Sequence, residues 1–347
     1  MKRTTRSLVF ALSVAALLVG GFLLFHRSQR QRVAHQPLAA VPADAQFILT
    51  ANMARLRSSP YRNLLRDASM SPLTAGAQES CGKNLEERIE TLVVWKPAEP
   101  GSTMGIAAYA PVSAQSVWEC AKGTMDSRGA QATFSHVEGF QIITDETLGP
   151  GSAQIAVRDP GLLVVARPGT RARMLDAFAG RCPSAFDQGT HARLRKELPK
   201  GDVVLTLTVN PAFRQRVADW VDEPSALDHV GEIGLSAILQ PTTELQVVVV
   251  CESDHVCQSL EQRLQAIRTR ARRSMLLRSM GVAGWLDATT LRQGNQRLHL
   301  HASLSAEQVL DLWQRLSTDP QEPPPSFVPA LRSSSDETLR PPSSSPP

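Results

Sequence analysis

Apolar and polar residues alternate along the segment that begins at Asp44, DAQFILTANMARL, and again along the segment that begins at Gly201, GDVVLTLTVNPAF. In each segment an alternating strand pattern runs directly into a helical one. With the two aligned 158 positions apart, Asp44 matches Asp202 and Asn52 matches Asn210. Both asparagines stand where the unpaired N–H groups of a first helical turn need an acceptor, so we predict two N-caps.

The rest of the pattern recurs in the same order. IETLVVWKP and IGLSAILQP each predict a strand that ends at a proline, Pro97 or Pro241, and each is followed by a second strand and a helix. LLVVARPGTRARMLDAF and RLHLHASLSAEQVLDLW then close the two copies. Thr170 and Ser305 fall at matching N-cap positions, and Gln308 forms a capping box with Ser305. These matches predict an internal repeat, although unrelated segments with the same αβ pattern would also align in this way.

The repeat predicts an α+β fold with two related domains, residues 41–180 and 201–318, joined by an inter-domain linker at 181–200. Each domain is expected to be a mostly antiparallel sheet with helices packed on one face. Short turns support this arrangement, for example the RDPG between SAQIAV and LLVVA. The helix after Ser253 is expected to bury one stripe of side chains, namely Leu260, Leu264, Ile267 and Ala271.

An N-terminal run of 18 uncharged residues, Leu8–Phe25, spans about 27 Å as a helix and is long enough to cross a bilayer. A cleaved signal peptide, the alternative, has a shorter apolar run followed by a cleavage site of small residues, whereas arginines follow this one. We predict a cytoplasmic segment at 1–7, a transmembrane anchor at 8–25 and a linker at 26–40. Basic residues flank both ends of the run, so charge hardly decides the orientation.

The remaining composition narrows the class of protein. A net charge of +4 with no run of five like charges argues against nucleic acid as a partner. Residues 319–347 are rich in Pro and Ser and are predicted to form a disordered tail. The five cysteines favour an oxidising compartment. We therefore predict a single-pass protein of the bacterial inner membrane with its body on the periplasmic side.

The segment VPADAQFILTANMARLRSSP, Val41–Pro60, follows the predicted anchor. It resembles the opening of a group of uncharacterised bacterial membrane-anchored envelope proteins, which begin with a Pro-Ala-Asp-Ala strand and a following helix. The resemblance covers about twenty residues. It implies an envelope location and class, and it supplies no catalytic residues that could be carried over to this chain.

Motifs for catalysis or cofactor binding are absent from the sequence: it has no G-x-G-x-x-G, no Walker loop, no G-x-S-x-G and no H-E-x-x-H. We therefore predict no cofactor. His299 and His301 should share one face of a strand, because side chains alternate with a period of two. Two imidazoles at this spacing would bind zinc only with further converging ligands, and none is signalled, so we interpret the pair as a polar strand face.

Arginines are concentrated in the helix after Ser253. Their planar side chains suit phosphate and carboxylate groups, so they are candidates for contact with lipid headgroups or an anionic envelope polymer. A solvated helix face is the alternative. The candidate anion-contact residues are Arg263, Arg268, Arg270, Arg272 and Arg273.

Two cysteines bracket the junction between a run of valines and the next helix, in VVVVCESDHVC. We predict a disulfide between Cys251 and Cys257, because a strand that folds directly into a helix can bring their Cα atoms within about 7 Å. Reduced cysteines, or a metal or redox site, are the alternatives. Cys81 and Cys120 are candidates for a second bond, which would leave Cys182 free.

These expectations combine into a non-catalytic binding or scaffold module, anchored in the membrane through residues 8–25 and contacting a protein partner in the envelope. One alternative is a hydrolase-like enzyme with a shallow site between the two domains and an unknown small-molecule substrate. The other is an assembly factor that uses the Pro/Ser-rich tail as a docking segment.

Overall fold

A computed structural model describes residues 35–63, 85–99, 101–217, 228–273 and 282–317. The predicted cytoplasmic segment, anchor and tail lie outside these residues, and so does Cys81. In the described ranges, no helix combines the length and the apolar character that a membrane span needs. The end of the predicted linker at 26–40 belongs to the core, because Pro37–Ala40 form a 3₁₀ helix of four buried residues.

The described residues form a mixed α+β structure dominated by one large antiparallel sheet, to which both copies of the repeat contribute strands. Twelve strands follow the order β11-β12-β10-β9-β8-β1-β2-β3-β7-β6-β5-β4. The strands are β1 Ala45–Asn52, β2 Thr91–Pro97, β3 Gly105–Tyr109, β4 Ala132–Val137, β5 Phe140–Asp145, β6 Gln154–Arg158, β7 Leu162–Ala166, β8 Val203–Thr208, β9 Val230–Leu239, β10 Thr242–Cys251, β11 Thr289–Gly294 and β12 Arg297–Ser305.

Helices lie between the strands along the chain. They are α1 Met53–Ser58, α2 Leu85–Arg88, α3 Ala114–Asp126, α4 Pro168–Phe178, α5 Gly189–Glu197, α6 Pro211–Val217, α7 Asp254–Arg273, α8 Val282–Asp287 and α9 Ala306–Ser317. The segment 181–200, predicted as a linker, contains α5, in which His191, Ala192 and Leu194 are buried.

The two copies meet where β1 pairs with β8 in antiparallel register. Ile48 lies opposite Thr206, and these residues are also equivalent at the repeat offset of 158 positions. The two copies are therefore related about this residue pair both in the sheet and in the sequence alignment. Outward from it the orders β8-β9-β10-β12-β11 and β1-β2-β3-β7-β6 correspond strand for strand. Both copies thus build one continuous sheet, whereas the sequence pattern suggested two domains.

Helices cover both faces of the sheet, and the prediction of helices on one face is wrong for the first copy. Ala107 packs with Met174 of α4 and Trp95 in one core, whereas the next residue, Ala108, packs with Val117 of α3 in another. We name these the α4/α5 face and the α3/α7 face. The cause is visible in LLVVA of β7, since a strand buried on both faces is apolar throughout instead of alternating.

The predicted N-caps are confirmed at three of four positions. Asn52 accepts a hydrogen bond from the N–H of Arg55 (3.1 Å), and Asn210 accepts one from the N–H of Phe213 (2.8 Å). The capping box is complete, with Ser305 and Gln308 bonding each other's backbone N–H groups at 3.2 and 2.8 Å. Thr170 is not a cap, because α4 begins earlier at Pro168, whose fixed φ suits a first helical position.

The stripe predicted for α7 is only partly buried. Leu260 and Leu264 pack against the core around Cys257, but the side chain of Ile267 is 53% exposed. The core that α7 covers ends before Ile267 is reached, and the last part of the helix packs against α8. The helical period identifies a face correctly, but not where along the helix its contact with the sheet stops.

Candidate functional site

Polar side chains gather on the α4/α5 face at the β11 end of the sheet. Strand register places Gln246, His301 and Thr290 in one cross-strand row. The next row contains His299 and Arg292. Together with Leu300 these residues line an open depression of about 500 Å³. The prediction that His299 and His301 share a polar strand face is therefore confirmed.

A histidine–carboxylate contact and an arginine–glutamate ion pair organise the surroundings of this depression. His301 Nε2 lies 2.8 Å from a carboxylate oxygen of Glu244, and Ser303 donates to the other oxygen at 2.8 Å. Arg297 donates two hydrogen bonds to Glu197, at 2.7 and 2.9 Å. These bonds hold the pKa of the Glu197 carboxyl below its ordinary value.

The chemistry open to the depression is that of hydrogen-bond donation to a polar or anionic group. Arg292 and Thr290 are exposed, and Gln246 and His299 are half-buried beside them. Among the described residues, no three His, Cys, Asp or Glu side chains are grouped as metal ligands would be. The side chains present suit a carboxylate or phosphate better than a metal ion.

The five candidate arginines of α7 separate into distinct groups. Arg268 donates to the backbone oxygen of Asp287 at 3.2 Å, and Arg272 forms an ion pair with its carboxylate. These two side chains thus hold α8 against α7. Arg263 also makes an interaction within the protein. Arg270 and Arg273 are exposed, and neither has a carboxylate partner among the described residues.

Exposed Ile267 lies between the basic residues of α7. It is four positions after Arg263 and three before Arg270, so the three side chains share one side of the helix. An exposed branched apolar side chain between two guanidinium groups combines hydrophobic and electrostatic contact in one stripe. This combination is typical of helices that rest on an anionic interface.

The predicted disulfide between Cys251 and Cys257 is confirmed, with Cα atoms 5.6 Å apart. Cys251 ends β10, and Cys257 lies in the first turn of α7, whose N-terminus is capped by Ser253 (3.4 Å to the N–H of Val256). Both cysteines are buried. The bond ties α7 to the sheet. Cys120 is also disulfide-bonded, and its predicted partner Cys81 lies outside the described residues.

Cys182 is a free thiol, as expected. It lies after α4 in the wall of a depression of about 380 Å³, together with Arg181, Phe186 and Asp187. Burial, and to a lesser degree Asp176, raises the pKa of this thiol. It is therefore a weaker nucleophile at neutral pH than an ordinary cysteine.

His191 is the most important polar residue that the sequence did not identify. It is fully buried, with Nε2 2.7 Å from the backbone oxygen of Ala45 and Nδ1 2.8 Å from Thr206 Oγ1. Since a carbonyl only accepts, Nε2–H donates to Ala45 and Nδ1 accepts from Thr206. Burial lowers the pKa of the imidazole and keeps it neutral. No local motif signals this role, because one partner lies 146 positions away.

Asp202 is a second important buried polar residue. The alignment of the repeat had matched it with Asp44, but it had not identified a role for it. Its carboxylate is buried and accepts the N–H of Leu239 at 2.7 Å and Arg55 at 3.3 Å. Its equivalent Asp44 is exposed and paired with Arg173. The hydrolase alternative places a site between the halves. Within the described residues, that join contains the paired strands β1 and β8, buried His191 and this carboxylate, both oxygens of which accept hydrogen bonds from the protein.

Comparisons with known proteins add little to this description. No protein-family model and no curated protein matches the chain. Among solved structures, crystal form I of TP0453 is similar with a TM-score of 0.46 and 12% identity, covering 81% of this chain and 97% of that chain. At so low a score and identity, no conclusion about fold or function rests on the similarity.

Proposed function

We propose that the chain is a non-catalytic binding or scaffold protein of the bacterial envelope, anchored by residues 8–25 with its body in the periplasm. The observation that carries the proposal is the disulfide chemistry of the body: Cys251 is bonded to Cys257, and Cys120 is also bonded. Structural disulfides persist in oxidising compartments and are rare in a cytosol.

Binding is favoured over catalysis by the hydrogen bonds of His191 and Asp202, the buried polar residues where the two halves join. Catalytic acids and bases need a free functional atom that faces a substrate. Both ring nitrogens of His191 and both carboxylate oxygens of Asp202 instead bond to the protein itself. The polar depression at His299 is open to solvent, which suits contact with a surface or an extended group.

The proposed ligand of α7 is an anionic surface, such as lipid headgroups or an acidic polymer of the envelope. Arg270 and Arg273 offer guanidinium groups that the described protein does not neutralise, and Ile267 adds an apolar contact. The Pro/Ser-rich tail would act as a docking segment or a spacer. These roles require no cofactor, and a protein partner in the envelope would complete the scaffold.

Cys182 provides a test of the orientation. In intact cells, we expect a small membrane-impermeant maleimide that enters the periplasm to label the full-length chain at Cys182, the free thiol of the described residues. Labelling should be carried out near pH 8.5, because burial raises the pKa of the thiol. The modified fraction is measured by mass spectrometry of the unreduced chain, as the increase in mass from one bound maleimide.

The matched control moves the single thiol to the other side of the membrane. In the Cys182→Ser background, Thr4→Cys should be labelled only after lysis, and Cys182→Ser alone should never be labelled. Labelling of Thr4→Cys in intact cells, with wild type protected until lysis, would reverse the predicted orientation. Protection of both until lysis would place the body in the cytoplasm.

Retention on a sulfated-dextran column tests the anionic contact. We expect full-length Arg270→Gln/Arg273→Gln in neutral detergent to elute at clearly lower salt than wild type, because exposed cation–anion contacts are screened by salt. Arg181→Gln/Arg193→Gln is the matched control. It removes the same charge, but both arginines are already paired with carboxylates. Equal elution of the two double variants would refute a role for α7 and leave only a general charge effect.

A further inference from the structure

Strand β4 forms one edge of the sheet. In the described part of the chain it pairs with β5 alone, so one side of its backbone has no strand beside it. An unpaired edge is a template for another strand, and proteins usually protect it with charged residues, proline or a bulge. The β4 sequence ATFSHV contains neither a charged residue nor a proline, whereas the opposite edge, β11, includes exposed Arg292.

The backbone groups that face outward from β4 follow from its pairing with β5. A two-residue turn joins the strands, with Glu138 and Gly139 at φ 54° and 80°, so the flanking Val137–Phe140 pair is hydrogen-bonded. The N–H of Glu146 donates to the backbone oxygen of Gln131 (3.1 Å), so the Gln131–Glu146 pair is also hydrogen-bonded, as this alternation requires. Hydrogen-bonded pairs alternate in antiparallel strands. The outward groups therefore belong to Ala132, Phe134 and His136.

Apolar side chains accompany this free backbone. Phe134 is 56% exposed and Val137 is 37% exposed. The ring of Phe134 lies 5.1 Å from that of Trp118 on α3 and 5.6 Å from that of His136. Aromatic clusters of this kind dominate the energetics of many protein interfaces.

We propose that β4 pairs with β4 of a second copy of this chain, in antiparallel orientation and with a two-fold axis at Phe134. In that register Phe134 lies opposite Phe134 of the other copy, and Ala132 lies opposite His136 of the other copy. It uses every outward backbone group and forms about six hydrogen bonds. The two sheets join into one, and the two aromatic clusters meet on the same face.

Charge selects a second copy over an unrelated strand. Arg128 precedes β4, and Glu138 follows it in a group with Asp176 and Arg181, where two carboxylates share one guanidinium and leave this end acidic. Antiparallel pairing brings the basic end of each strand to the acidic end of the other, and it does so twice. Within β4, no like charges oppose each other, which would otherwise weaken a cross-strand contact. Self-pairing through one patch on both copies is also the commonest symmetry of soluble oligomers.

Site-specific crosslinking of the full-length chain in membranes tests the proposal. In the Cys182→Ser background, a short bismaleimide should join Phe134→Cys to a species of twice the chain mass. Ile267→Cys, which replaces a similarly exposed residue on α7, should remain monomeric. Two copies with different tags, expressed together, should be recovered with either tag.

A second variant separates edge pairing from mere proximity. Ala132→Pro removes an outward N–H, whereas the bonds of β4 to β5 are kept, because the Ala132 N–H does not take part in them. Added to Phe134→Cys, it should lower the crosslinked fraction about tenfold. Phe134→Lys should reduce co-recovery of the two tags, and Ile267→Lys should not.

Three outcomes would overturn the proposal. The first is equal crosslinking at positions 134 and 267, which would indicate random collision. The second is a crosslinked product at Phe134→Cys whose mass does not equal two chains, because the edge would then receive a segment of another protein. The third is that Phe134→Cys forms no crosslink and that two differently tagged wild-type copies are not recovered together. None of these results bears on the orientation of the chain in the membrane.

Discussion

Replacing His191 with leucine is expected to lower the free energy of unfolding by about 3 kcal/mol. Leucine keeps most of the volume but makes neither hydrogen bond of the imidazole. The carbonyl of Ala45 and the hydroxyl of Thr206 would then be buried without their present partners. Both residues lie in the strands that join the two copies of the repeat. The substitution therefore acts at the centre of the sheet.

Urea unfolding of the full-length chain in detergent, followed by tryptophan fluorescence to which buried Trp95 contributes, measures this effect. His255→Leu is the matched control, because His255 is exposed on α7 and its replacement should change stability by less than about 0.5 kcal/mol. Equal stability of His191→Leu and wild type would mean that the two hydrogen bonds do not stabilise the join.

The same histidine makes stability depend on pH. Burial lowers the folded-state pKa of His191 below its ordinary value of 6.5, against smaller opposing contributions from the Ala45 oxygen and Glu232. The unfolded chain therefore binds the proton first. The contribution of the neutral imidazole is complete above about pH 6.5 and is lost as the pH falls below it. His191→Leu should unfold with a smaller change in stability between neutral and mildly acidic pH.

Gly161→Ala is expected to destabilise the protein by about 4 kcal/mol. Gly161 has φ +116°, which L-residues rarely adopt, and an added Cβ would lie 1.7 Å from the carbonyl oxygen of Ala110. The turn cannot easily move aside. The Gly161 oxygen accepts the N–H of Ala110 at 3.0 Å, and Asp159 in the same turn holds the N–H of Ala114 at the start of α3 (2.9 Å).

Gly149→Ala separates the two causes. Gly149 also has positive φ, +80°, but an added Cβ would meet nothing within 4 Å. We expect a cost of about 2 kcal/mol from the backbone conformation alone, because φ 80° with ψ 170° is a region that essentially only glycine adopts. The difference between the two variants in urea then measures the steric clash at Ala110. Similar costs for both would show that the turn at Gly161 relaxes freely.

Much of the fold could be predicted from the sequence because its signals are local. The caps at Asn52 and Asn210 and the capping box at Ser305 act over three residues. The β6–β7 hairpin is encoded by four turn residues between two apolar runs. The Cys251–Cys257 bond spans six positions at a recognisable change from strand to helix. In each case the interacting groups are near neighbours along the chain, so the pattern itself brings them together.

The candidate site was less predictable because its residues are selected by distant partners. The arginines of α7 are alike in sequence, but Asp287 engages Arg268 and Arg272 and leaves Arg270 exposed. Helical periodicity placed Ile267 on the buried face, yet the core ends before it. His191 has no motif at all, since its role depends on a carbonyl in β1.

The sequence by itself determined most of the central strands, most of the caps, the repeat pattern and the disulfide, because these depend on periodicity and on contacts between residues that are close along the chain. Only the tertiary structure decided that both copies form one sheet, that helices cover both of its faces and that β4 is left at an edge. Those features depend on which strand lies beside which. Pairing between β1 and β8 depends on packing and on the burial of His191, which join residues far apart in the sequence. The local pattern of apolar and polar residues therefore cannot predict it.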